Sequence, residues 1–281
     1  MVVRGDGRPI GVFDSGVGGL TVARAILDLS PAEPLLYVGD TRRFPYGPRP
    51  LDEIRGFALE IASYLVDRDV KMLVVACNSI EVAAIEQVTN SAGVPVIGVI
   101  DPGVRAAVRA THNGRIGLIG TEATVKSGAY ERALARTGAN VTMISRACPL
   151  FVDYVESGDT TSAELNGIAR EYLEPLADED VDTLILGCTH YPMLSGLIAR
   201  VMGPDVHLVS SAEETARDVY AALVDGGMLR VDGSPEHEFL CTGDPAQFTE
   251  VAERFLGPSI PTVLRAVPGG FRAAVGGGRW S

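Results

Sequence analysis

Two cysteines of this chain stand in matching settings. Cys77 follows the apolar run Met72–Ala76 and precedes Asn78-Ser79, where a helical pattern begins; Cys188 follows Thr183–Gly187 and precedes Thr189-His190. Taken singly, a cysteine at a strand end is more often a small buried hydrophobe than a catalyst. The pair reads differently, because both thiols lie beside hydrogen-bonding residues and near a helix N-terminus, a place that favours thiolate. Two thiols on opposite faces of one carbon can remove its proton from one side and return another from the other side. A thiol of ordinary pKa, about 8.5, needs only modest tuning for such acid/base work. The chemistry is then inversion at the α-carbon of an amino acid.

The usual alternative for that chemistry is pyridoxal phosphate on a lysine. The chain has two lysines, Lys71 and Lys126; the first begins a strand at the end away from the expected site, and the second reads as solvated or anion-facing. No cofactor and no metal are expected. Asp14-Ser15-Gly16-Val17-Gly18-Gly19 follows the first strand and opens a helix, but Thr21 stands where a dinucleotide fingerprint needs its third glycine. The segment reads either as a tight turn or as a place where Asp14 faces a substrate ammonium or orients Cys77. In the proline-rich loop after Asp40, Tyr46-Gly47 are placed to offer backbone amides to a carboxylate, while Arg42, Arg43 and Arg49 read as surface residues. His190, two residues after Cys188, can orient or polarise its thiol; His112, His207 and His237 have no motif around them. Cys148 and Cys241 read as structural.

Short β-branched runs positioning these residues alternate with longer stretches of helical period. Strands are expected at Ile10–Phe13, Leu35–Val38, Met72–Ala76 and Val94–Val99, then at Ile116–Ile119, Val141–Ile144, Thr183–Leu186 and Val206–Val209. Helices are expected between them, for example at Leu20–Leu29, Leu51–Val66, Val82–Thr89 and Ser162–Leu176. Continuous apolar strands alternating with helices mean an α/β fold with mainly parallel sheets covered on both faces. The two series also resemble each other. Gly11-Val-Phe-Asp-Ser matches Gly117-Leu-Ile-Gly-Thr 106 residues on, and Leu73-Val-Val-Ala-Cys-Asn matches Leu184-Ile-Leu-Gly-Cys-Thr 111 residues on. Two pseudo-symmetric lobes follow, with the active site between them, since ligands of open α/β sheets bind beyond the carboxyl ends of the strands.

A formal charge of -12 over 281 residues argues against nucleic acid or an anionic membrane as partner. No run is long and apolar enough to span a bilayer, and the N-terminus lacks a signal-peptide pattern. The expected location is the cytoplasm. Four cysteines spaced 71, 40 and 53 residues apart, with no C-x-x-C pair, are expected as reduced thiols.

With these residues in view, the chain resembles the bacterial glutamate racemase family. The segments that carry the resemblance are GVFDSGVGGL (11–20), YVGDTRRFPYG (37–47), VVACNS (74–79), GLIGTEAT (117–124), CPLFVDYVESG (148–158) and LILGCTHYP (184–192). It implies two α/β lobes enclosing glutamate, with no cofactor, and supply of D-glutamate to peptidoglycan synthesis. It implies Cys77 and Cys188 as the acid/base pair and Asp14, Glu156 and His190 as their polar helpers. Substrate contacts would fall on Asp14, Ser15, Tyr46, Gly47, Asn78, Ser79, Thr121, Thr189 and His190. It further implies a homodimer, and a chain that returns after about residue 210 to complete the first lobe. The expected lobes are 1–100 with 211–265, and 101–210, with 266–281 as a flexible tail. The competing readings are an aspartate or hydantoin racemase, a related decarboxylase, which would need one cysteine only, and a non-catalytic two-lobed amino-acid binding protein.

Overall fold

In the computed structural model, which describes residues 5–256 and 263–266, the chain forms two parallel sheets, each covered by helices on both faces. The first half runs β1 (Ile10–Asp14), α1 (Leu20–Leu29), β2 (Leu35–Gly39), α2 (Leu51–Asp67), β3 (Met72–Val75), α3 (Asn78–Ala92) and the short β4 (Val96–Ile97). Helix α4 (Ile100–Ala110) then leads into β5 (Arg115–Gly120), α5 (Glu122–Ser127), α6 (Ala129–Thr137), β6 (Thr142–Ala147), α7 (Leu150–Ser157) and α8 (Ala163–Ala177). After β7 (Thr183–Gly187) come a 3-10 turn, α9 (Ser195–Met202), β8 (His207–Ser210), α10 (Ser211–Asp225), β9 (Glu238–Cys241), α11 (Pro245–Leu256) and β10 (Val263–Ala266).

The sheets have the orders β10-β9-β2-β1-β3-β4 and β6-β5-β7-β8. Without its two late strands the first sheet repeats the topology of the second, and the register repeats as well. Gly11 of β1 pairs with Leu73 of β3, while Gly117 of β5 pairs with Leu184 of β7. A Cβ on Gly11 would meet Leu73 and Val70; one on Gly117 would meet Leu184 and Val181. The two halves therefore share one local packing solution. Strands β1, β2, β3 and β7 are buried along their whole length, as continuous apolar strands between two helical layers must be. On the first sheet, α1, α10 and α11 supply one core and α2 and α3 the other; on the second, α7, α8 and α9 face α4 and α6 across the strands.

Several expectations shift. The run Val94–Val99 yields only the two-residue β4, because Gly98 turns against the Glu81 carboxyl; a Cβ there would lie 2.4 Å from Glu81 Cδ. Helix α3 starts at Asn78, earlier than the expected Val82, and β6 extends to Ala147, past Ile144. Val263–Ala266 adds a strand parallel to β9, so Ala266, placed at the start of the expected tail, ends β10 instead; residues 267–281 lie outside those described. No described helix is long and apolar enough to cross a membrane.

Glu81 links α3 to the helix that enters the second sheet. Its Oε2 accepts from the amides of Val99 (2.5 Å) and Ile100 (3.0 Å), which stand free at the start of α4. Burial pushes this carboxyl up to about 7 against the pull of those two amides. The folded chain thus holds a proton that the unfolded chain releases above about 4.5, and stability falls as pH rises from there towards 7. Thermal melts at about pH 5 and about pH 7 should show this fall in the wild type and a smaller one in Glu81→Gln; parallel profiles would contradict the assignment.

Candidate active site

Both sequence-matched strand ends open into one cavity of about 250 Å³ between the sheets, lined by Cys77 and Cys188 together. Such a volume lies below the roughly 300–1,000 Å³ of drug-sized pockets and suits a small polar molecule. Ser15, Tyr46, Gly47, Asn78, Ser79 and Thr121 line it, as do Thr189 and His190. Asp14 and Glu156 are not on the wall; they sit behind the thiols. Neither lysine lines the cavity. Lys71 is sealed at the opposite strand end against Glu33 (2.5 Å), and Lys126 pairs on the surface with Glu122.

The chain reaches this geometry through tight turns. After β1 the glycines of the run Gly16-Val17-Gly18-Gly19 have no room for a side chain. A Cβ on Gly18 would lie 2.5 Å from His190 Nδ1 and from Thr189 Oγ1, and one on Gly19 would lie 2.6 Å from Asp14 Cβ. The glycines thus permit the Cys188 loop of one sheet to close on the β1 turn of the other. Cys77 stands in extended conformation immediately before α3, and Ser79 Oγ meets Thr121 Oγ1 at 3.0 Å across the gap. Tyr46 hangs from a buried network in which Asp40 accepts from the Tyr46 hydroxyl, Arg43 and Thr242. That network fixes the roof segment containing Gly47. Arg43 and Arg49 are engaged with Glu60 and Glu53, and Arg42 is exposed, so none of the three lines the cavity.

The two thiols have unlike surroundings. Cys77 Sγ donates to Ser15 Oγ at 3.5 Å. Burial and the adjacent Asp14 push its pKa well up, while Ser15 and the Ile80 amide pull the other way. Asp14 is fully buried, with Oδ2 accepting from the Gly19 amide at 2.8 Å; burial raises its carboxyl pKa, against the His190 charge and that amide. Cys188 Sγ lies 3.8 Å from His190 Nδ1, and the opposite ring nitrogen meets Glu156 Oε1 at 2.7 Å. Burial opposes charge on His190, but Cys188 and Glu156 outweigh it and push the imidazole up to about 10. At neutral pH the ring is therefore protonated, a cation held against one sulfur while a carboxylic group stands behind the other. An opposed pair of this kind can pass protons to and from both faces of a bound carbon acid.

No lysine or arginine lines the wall, although the acidic side chains Glu122 and Asp153 do. A bound carboxylate must then rely on amides and hydroxyls, which α3 supplies at its N-terminus and Asn78 through Nδ2, a buried donor unpartnered among the described residues. Sequence reasoning missed Phe44, Pro149, Val152 and Asp153 on the wall. The last three belong to the segment that carries Glu156, whose helical spacing was the available signal. The four cysteines are all free and buried.

Removing the Glu156 charge should lower the pH at which His190 loses its proton. Nitrogen-15 NMR of the ring in Glu156→Gln is expected to show this downward move; an unchanged titration would mean that Glu156 does not hold the imidazolium.

The match to known proteins covers nearly the whole chain. The family model for Asp/Glu/hydantoin racemase matches residues 10–219. A glutamate racemase of Parafrankia sp. is 54% identical over 275 residues, spanning 97% of this chain and 99% of the relative. The crystal structure of a glutamate racemase isoform from Bacillus anthracis superposes with a TM-score of 0.88 at 43% identity, covering 93% of this chain and 98% of that one. That of the Francisella tularensis glutamate racemase, in complex with D-glutamate, gives 0.87 at 36% identity over the same shares. The chain belongs to the Asp/Glu/hydantoin racemase family.

Proposed function

We propose that this chain is a glutamate racemase, interconverting L-glutamate and D-glutamate by proton transfer between Cys77 and Cys188. The observation that carries the reading is the presence of both sulfurs on the wall of one small cavity, each at the end of an equivalent strand. One thiolate takes the α-proton from one face, and the other thiol delivers a proton to the opposite face of the carbanion. The reverse reaction exchanges their parts. His190, backed by Glu156, serves the Cys188 side, and Asp14 serves the Cys77 side.

The α-proton is weakly acidic, so negative charge spreading into the substrate carboxylate during transfer must meet fixed donors. We assign that task to the amides and hydroxyls of Ser15, Ser79, Thr121 and Thr189, with Asn78 binding the substrate and Tyr46-Gly47 holding its far end. Asp14 is left to Cys77 rather than to the substrate ammonium, since its carboxylate is turned into the β1 turn. The D-glutamate made would serve peptidoglycan synthesis, in the cytoplasm, by a homodimer; these three points rest on the family likeness.

Substrate choice between glutamate, aspartate and a hydantoin is open to direct assay. The wild type is expected to erase the circular dichroism of L-glutamate and to leave L-aspartate unchanged; no change with glutamate would overturn the proposal. Cys77→Ser and Cys188→Ser should each lose about 100- to 10,000-fold in racemisation with the fold intact. Retained racemisation in either variant would refute the two-base scheme.

A further inference from the structure

The amide of Asn78 has one end tied and one end free. Its Oδ1 accepts from the Tyr130 hydroxyl at 2.7 Å, and its Nδ2 is buried without a partner among the described residues. Asn78 is the first residue of α3 and lines the cavity beside Cys77, whereas Tyr130 lies on α6, which covers the other sheet. Both side chains are almost fully buried, at 2% and 0% exposure. A buried phenol must place its proton on an acceptor, and among the described residues Asn78 Oδ1 is the partner of this hydroxyl. That fixes which way the amide faces: the carbonyl end is occupied, so the NH2 end points away from Tyr130. A buried amide donor left unmatched is costly, and a bound acceptor would remove that cost.

We propose that Tyr130 is a positioning residue, which holds the Asn78 amide so that Nδ2 donates to a substrate carboxylate. The inference rests on the function proposed above and deepens it. Tyr130 is itself held in place by close packing. A Cβ on Gly187, at the end of β7, would lie 3.4 Å from its ring, and a Cβ on Gly103 of α4 would lie 3.9 Å away. The next residue along the chain repeats the device, as Ser79 reaches Thr121 of the second sheet. Consecutive residues after Cys77 thus take their side-chain orientation from the opposite lobe. The substrate donor is aimed by the same apposition of the two lobes that places both sulfurs on one cavity wall.

A double-mutant cycle on the full chain tests this, with L-glutamate as substrate and the variants Tyr130→Phe, Asn78→Ala and their combination. Phenylalanine keeps the packed ring and removes only the hydroxyl. Tyr130→Phe should raise KM about tenfold and change kcat by less than about threefold, the pattern of a lost binding contact. In the Asn78→Ala background the same change should have no further effect on KM, because Tyr130 acts through that amide alone. An unchanged KM in Tyr130→Phe, or an equal rise in KM in both backgrounds, would overturn the proposal, the second outcome marking a merely structural role. Should Tyr130→Phe fold poorly, the effect would appear in both backgrounds and count against it in the same way. Absence of glutamate turnover by the wild type would overturn the proposed function and this inference together, so the two failures are distinguishable.

Discussion

In the proposed reaction acid and base must meet one carbon from opposite sides, although the two sulfurs ride on separate sheets more than a hundred residues apart. Everything near the cavity answers to that requirement. The glycines after β1 remove side-chain bulk so that Thr189 and His190 can approach within contact of the turn. Ser79 and Thr121, and Asn78 and Tyr130, bridge the gap with hydrogen bonds that neither lobe could make alone. Such bonds contribute on the order of 1 kcal/mol each, so they set geometry more than they hold the lobes together. Most of the binding between layers comes from the apolar cores on each face of each sheet.

The pseudo-symmetry that creates the pair stops at the side chains around it. Strand order, register and the packing of Gly11 and Gly117 repeat between halves, yet the thiols have different partners. Asp14 is enclosed in the β1 turn with no place on the cavity wall, and it raises the proton affinity of Cys77. His190 places a cation against Cys188, with Glu156 behind it. Such a division prepares one thiol to give a proton and provides the other sulfur with a donor. A repeated scaffold thus surrounds its two thiols with unlike partners, which the proposed reaction uses as two unlike acid/base arms.

Much of this was legible in the sequence for a physical reason. Strands buried on both faces must be continuously apolar, so their ends stand out, and in a parallel sheet those ends are where polar residues meet a ligand. Cys77 and Cys188 could be paired from that logic and from the repeat; the family resemblance added the substrate. Helix α4 carries Pro102-Gly103 near its start, where a proline loses no hydrogen bond and Glu81 supplies partners for the free amides, a contact with no local signal. The strand at 263–266 was hidden by its Pro/Gly-rich surroundings. Tyr130 and Thr242 carried no local signal, since their partners Asn78 and Asp40 lie 52 and 202 residues away.

Isotope transfer from solvent addresses the central claim, that two different groups serve the two faces. L-Glutamate carrying protium at the α-carbon is converted in deuterium oxide and sampled early, with mass spectrometry of the separated enantiomers. The account predicts that D-glutamate has gained one deuterium while the remaining L-glutamate still carries protium, because the proton removed and the proton delivered reside on different sulfurs. Protium retained in the D-glutamate would show that one group carries the same proton across both faces, and the two-cysteine account would fall.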